Sequence, residues 1–107
     1  MQNEKKVLSI LGLAQRAGRV ASGEFSAENA VRDGSAHLVI VAEDASANTQ
    51  KLFRDKCSFY HVPVVSCGSK ASLGAALGKE MRASVAVTDE GFANKLKKLI
   101  DEEQEVE

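Results

Sequence analysis

The run Leu38-Val39-Ile40-Val41-Ala42 constrains this chain more than any other stretch. Its five apolar residues follow one another without alternation. A strand with one wet face would carry polar residues at every second position, so this run suits a strand covered on both faces. Covering both faces takes a layer of helix on each side of the sheet. The rest of the chain is therefore expected to supply helices, and its punctuation agrees.

Upstream, Ser22-Gly23 reads as a turn and Glu24 falls in the first turn of a helix, where the macrodipole favours a carboxylate. Phe25, Ala30 and Val31 give that helix an apolar face at roughly helical spacing, and Asp33-Gly34 stops it. Before it, Lys5 to Ala17 reads as a helix burying Val7, Leu8, Leu11 and Ala14, followed by a short edge strand over Arg19 to Ser22. Downstream, capping residue types over 45–49 open a helix from about Thr49 to Tyr60, which buries Leu52, Phe53, Cys57 and Tyr60. His61-Val62-Pro63 breaks it, and Val64 to Ser66 is the next strand. A short helix over Ser69 to Leu77, a strand over Ser84 to Thr88 and a last helix from Asp89 or Glu90 complete the order. That helix carries Phe92, Leu96, Leu99 and Ile100 inward. The expectation is an α/β fold, a three-layer α-β-α sandwich with a four-stranded mixed sheet and helices on both faces.

A chain of 107 residues makes one domain, read here as 1–100 with an acidic C-terminal tail over 101–107. Net charge is −1, but Asp101, Glu102, Glu103, Glu105 and Glu107 hold five of the fifteen acids. Residues 1–100 carry fourteen Lys and Arg against ten Asp and Glu, a net of +4 that is compatible with an RNA partner. No apolar run approaches the roughly 20 residues of a membrane span. The start, Met-Gln-Asn-Glu-Lys-Lys, lacks a signal peptide's apolar core, so a cytoplasmic protein without a membrane partner is expected.

Enzyme chemistry finds little to stand on. Neither G-x-G-x-x-G nor G-x-x-x-x-G-K-[ST] occurs, and the glycines stand singly at element ends. With two histidines, His37 and His61, a histidine-rich metal site is excluded. Cys57, His61 and Cys67 offer three zinc ligands, but no fourth is evident and C-x₂-C spacing is absent. The two cysteines read instead as packed residues, and no cofactor is expected. Glu43-Asp44 ends the central strand at its carboxyl edge, where layered α/β domains tend to bind ligands.

What remains is a surface of two turns. Gly23-Glu24-Phe25-Ser26 opens one helix, and Gly78-Lys79-Glu80-Met81-Arg82 precedes the last strand. In the sandwich these can lie side by side, offering helix N–H groups with Lys79 and Arg82 for phosphates, and Phe25 and Met81 as apolar contacts. RNA recognition of irregular elements uses that mixture. The alternatives are a core position for Phe25, a gap-filling role for Met81 and plain solvation for Lys79 and Arg82.

Five pieces in order carry a resemblance. They are L-x-L-A-x-R-A-G-x-V (11–20) with the S-G-E turn, D-G-x-A-x-L-V-I-V-A-E-D-A-S (33–46), V-P-V (62–64), L-G-x-A-x-G (73–78) and V-A-V-T-D-x-G-F-A (85–93). Over nearly its whole length the chain resembles the kink-turn-binding ribosomal protein superfamily of archaeal L-seven-Ae and eukaryotic L-thirty-e, most closely the small bacterial YlxQ-type members. The resemblance implies the same sandwich and a non-catalytic, ribosome-associated protein. Its implied partner is structured RNA, ribosomal or another kink-turn RNA, and the free protein would be a monomer. It also implies an RNA site over Gly23, Glu24, Phe25, Ser26, Asn29, Gly78, Lys79, Glu80, Met81 and Arg82. In the archaeal and eukaryotic members the helix start carries Gly-x-Asn-Glu-x-x-Lys. Here Phe25, Ser26 and Asn29 stand in the Asn, Glu and Lys places, removing base contacts typically worth ~1–3 kcal/mol each. Either Glu24 and Asn29 supply shifted contacts, or binding is weaker, or the RNA differs. The alternative function is a protein-interaction module that keeps the fold without kink-turn binding.

Overall fold

The structure, a computed structural model, describes residues 3–105. The elements run α1 (Glu4–Arg16), β1 (Val20–Ser22), α2 (Glu24–Arg32), β2 (Leu38–Val41), α3 (Ala47–Tyr60), β3 (Val64–Ser66), α4 (Lys70–Ala76), β4 (Ser84–Val87) and α5 (Glu90–Glu105). This is the alternating order expected from the sequence. The sheet order is β1-β4-β2-β3, with β2 and β3 parallel and β4 antiparallel to both of its neighbours. It is a mixed sheet, as expected.

All four residues of β2 and all four of β4 are buried, because these central strands are covered on both faces. One helical layer pairs α2 with α3, and the other packs α1 against α4 and α5. The core they enclose includes Leu11, Leu38, Ile40, Phe53, Leu73, Leu96 and Ile100, all essentially without solvent contact. Each such side chain contributes roughly 1.5–3 kcal/mol relative to exposure. Edge strands β1 and β3 have three residues each and are only partly covered. Short edges limit unwanted pairing with other chains.

Local signals explain the boundaries. Ser46 accepts from the Thr49 N–H (3.1 Å), so α3 opens at Ala47, two residues before the point read from the sequence. His61 closes α3 in the left-handed conformation at φ 59°. Ser69 and Ser72 cap α4 reciprocally. The acidic tail read over 101–107 continues α5 as far as Glu105, and Val106 and Glu107 lie outside the described residues. No helix among the described residues is long and apolar enough to cross a membrane.

Candidate nucleic-acid interface

β1 ends at Ser22 and β4 begins at Ser84, and their antiparallel register sets Ser22 opposite Val85. The chain leaving β1 and the chain entering β4 therefore meet at one end of the sheet. Two contacts join them. The Gly23 N–H donates to the Ser84 carbonyl (3.0 Å), and Arg82 Nε donates to Ser22 Oγ (3.3 Å). Arg82 Nη1 donates to the Met81 carbonyl (3.0 Å), and the Arg82 N–H donates to the Lys70 carbonyl (3.0 Å). Arg82 is thus a strut, half-buried and tied to both turns, rather than a simply solvated cation.

Gly23 is the N-cap of α2, at φ 93° and ψ 158°. That region is essentially open to glycine alone. No side chain caps the helix, and its first backbone bond runs from the Ala27 N–H to the Gly23 carbonyl (2.9 Å). The N–H groups of Glu24, Phe25 and Ser26 consequently precede the helical ladder, the situation that suits an anion. The Glu24 carboxylate in the same turn complements the dipole and is an exposed hydrogen-bond acceptor.

Phe25 does not belong to the apolar face of α2, contrary to the spacing read from the sequence. It is 78% exposed, and the buried face is Ala27, Ala30 and Val31. The reason is angular: positions 27, 30 and 31 share one side of the helix, and residue 25 is half a turn away from Ala27. Met81 is 59% exposed, so it is no gap-filler either. The two turns therefore set two large apolar side chains in solvent at one end of the sheet.

The second turn is seated by Gly74, a position not singled out for the site by its sequence. Gly74 is buried within α4, and a β-carbon there would overlap the Glu80 carbonyl oxygen and lie 2.7 Å from its carbon. The Lys79 N–H donates to the Gly74 carbonyl (2.9 Å). The backbone of 79–81 thus crosses α4 where a side chain is missing. The available signal was a glycine inside a helical pattern, where alanine is the better helix former. Gly78, Lys79 and Glu80 are exposed on this turn.

Other sequence candidates fall elsewhere. Asn29 lies a turn further along α2, half-buried, its Oδ1 accepting from Arg32 Nη1 (3.5 Å). Glu28, beside it, pairs with Arg32 (3.1 Å) and Lys56 (3.7 Å). Asp44, at the carboxyl end of β2, accepts from the Lys70 N–H (2.8 Å), so it serves the start of α4. Burial pushes the Cys57 and Cys67 thiols up to about 11, with Glu4 and Glu43 adding to the effect at Cys67. Neither thiol is poised as a nucleophile. Among the described residues, no group of three or more His, Cys, Asp or Glu could hold a metal ion.

The chain is 52% identical over 92 residues to the RNA-binding protein YlxQ of Bacillus subtilis, covering 86% of this chain and 92% of that one. It is 40% identical over 99 residues to the RNA-binding protein YlxQ of Enterococcus faecium, covering 92% and 95% of the two chains. A solved structure of a protein of unknown function from Bacillus halodurans superposes with a TM-score of 0.87 at 45% identity, covering 90% of this chain and 97% of that one. The model of the ribosomal protein L7Ae/L30e/S12e/Gadd45 family matches residues 5–97. That match runs from α1 through the first half of α5 and includes both turns of the site, so the chain belongs to the L7Ae/L30e/S12e/Gadd45 family.

Proposed function

We propose that this protein is a non-catalytic binder of structured RNA of the kink-turn class that works with the ribosome in the cytoplasm, through the two joined turns. One observation carries the reading. Phe25 and Met81, both largely exposed, stand on turns tied together by the Gly23–Ser84 and Arg82–Ser22 contacts. Solvent-facing aromatic and thioether groups give unpaired bases a surface to stack against. The uncapped start of α2 and the Lys79 ammonium face phosphates, with the part of the Arg82 guanidinium not used in the strut. Glu24, an acceptor among donors, suits an exocyclic base amino group better than a phosphate. The names of the two YlxQ relatives and of the family support both the RNA and the ribosome.

A second reading, a protein-interaction module without RNA binding, draws on the Phe25, Ser26 and Asn29 replacements. Filter binding with a kink-turn duplex and an unkinked duplex of the same composition separates the two. A clear preference for the kinked RNA, lost in Gly23→Val, is the expected result. A β-carbon at residue 23 meets open space within the protein, so this variant costs about 1–3 kcal/mol of backbone strain while blocking close approach of the RNA. Equal affinity for the two duplexes would remove the kink-turn reading, and no measurable affinity for either would favour the interaction module.

A further inference from the structure

Helix α5 buries Ala93, Leu96 and Ile100 and turns Lys95, Lys98 and Glu102 to solvent. With half-buried Leu99, these outer residues form a stripe at i, i+3, i+4 and i+7 along one side of the helix. The stripe borders a shallow groove of about 380 Å³ between α1 and α5, lined by Lys5, Lys6, Ser9, Ile10, Lys95 and Leu99. No ion pair engages its three lysines, because the salt bridges among the described residues are both made by Glu28. The floor is apolar and the rim cationic, which fits a partner that brings both a carboxylate and an aliphatic surface.

The same helix supplies that partner. After Glu90 in its first turn, its charges are split along its length, lysines at 95, 97 and 98 and acids from 101 onward. Acids at a helix C-terminus oppose the macrodipole, and the last turn holds no basic residue. Within one chain the groove cannot be filled by these acids. Asn3 Nδ2 donates to the Leu99 carbonyl (2.8 Å), so α5 has already reached the start of α1 at Leu99 and carries its acids beyond it. A second copy can fill it.

We propose that α5 is a self-complementary docking stripe through which two copies of this chain associate antiparallel and reversibly. With the two-fold axis between residues 98 and 99, Lys95 faces the partner's Glu102, and Glu102 faces the partner's Lys95. The Lys98 stem lies over the partner's Leu99 and the reverse. Residues 95 and 102 are about 10 Å apart along the helix, so the two ion pairs flank a central aliphatic contact. Lys5 and Lys6 add positive charge beside the incoming carboxylate. One helix stripe is smaller than the interfaces of stable dimers, so the association belongs to the transient class.

Sedimentation velocity at low salt, from micromolar to millimolar protein, tests this. The wild-type coefficient should rise with concentration toward a dimer, and added salt should suppress the rise. Lys95→Glu alone and Glu102→Lys alone should each weaken association about tenfold, since each replaces both attractive pairs by repulsive ones. Lys95→Glu with Glu102→Lys should restore it. Both positions are exposed, so the fold tolerates the changes. A protein that stays monomeric at millimolar concentration in low salt would overturn the proposal. So would a double variant no better than the singles, or single variants that weaken RNA binding while leaving association intact.

Discussion

Gly74→Ala is the substitution whose sign depends most on the tertiary structure. Judged locally it should stabilise, because alanine in a helix interior is better than glycine by about 0.8–1 kcal/mol. The fold reverses the expectation. The new β-carbon would overlap the Glu80 carbonyl oxygen and come within 2.7 Å of the Glu80 carbon and 3.1 Å of Met81 Cα. All three are backbone atoms, so no side chain can swing aside. Either α4 or the 79–81 backbone must move, and overpacking of this kind costs about 1–3 kcal/mol. Movement also strains two hydrogen bonds, Lys79 N–H to the Gly74 carbonyl (2.9 Å) and Arg82 N–H to the Lys70 carbonyl (3.0 Å), each worth about 1 kcal/mol. Against the helix-propensity gain, the net is a loss of about 2 kcal/mol. Urea unfolding reads this as a lower midpoint at unchanged slope. Because the displaced segment carries Met81 and Arg82, RNA affinity per folded molecule should fall as well. A Gly74→Ala protein more stable than wild type, with unchanged RNA binding, would refute the account of how the second turn is seated.

Three further outcomes follow from single side chains. Phe25→Ala should change stability by less than about 0.5 kcal/mol, since the ring is 78% exposed, yet weaken RNA binding by about 1–3 kcal/mol through lost stacking. A stability loss without an affinity loss would return Phe25 to the core. Ser84→Ala should stabilise the fold by about 1 kcal/mol in thermal or urea unfolding, because the Ser84 Oγ is fully buried without a hydrogen-bond partner among the described residues. Destabilisation would mean that the hydroxyl is satisfied in solution. Cys57 and Cys67, with thiols raised from about 9 to about 11, should hold roughly a hundredfold less thiolate at neutral pH than exposed cysteines. Mass spectrometry should find alkylation slow in the native protein and complete in urea, and fast native labelling would contradict their burial.

The layers were legible in the sequence because burial on two faces leaves an unmistakable pattern. Leu38 to Val41 has no polar position to spare, and the structure covers every residue of it. Gly23 was legible too, since a lone glycine before a helix start points to a backbone that only glycine adopts. Phe25 misled because an aromatic residue near a helix start looks like a core anchor until the angular position of Ala27, Ala30 and Val31 is fixed. The Arg82 strut joins residues 60 apart in the chain, and the seating of residue 80 on Gly74 depends on how α4 lies. Such contacts belong to tertiary packing and leave no periodic trace. The extension of α5 into the acidic run was hidden by charges that oppose the helix dipole.

One end of the sheet, where the two turns meet, is the proposed RNA surface. Backbone amide chemical shifts recorded while a kink-turn RNA is titrated into labelled protein test it residue by residue. The largest changes are expected over residues 23–27 and 78–84, with α5 and the β3 edge little affected. Largest changes on α5 or along β3, with Gly23 and Met81 unmoved, would contradict it.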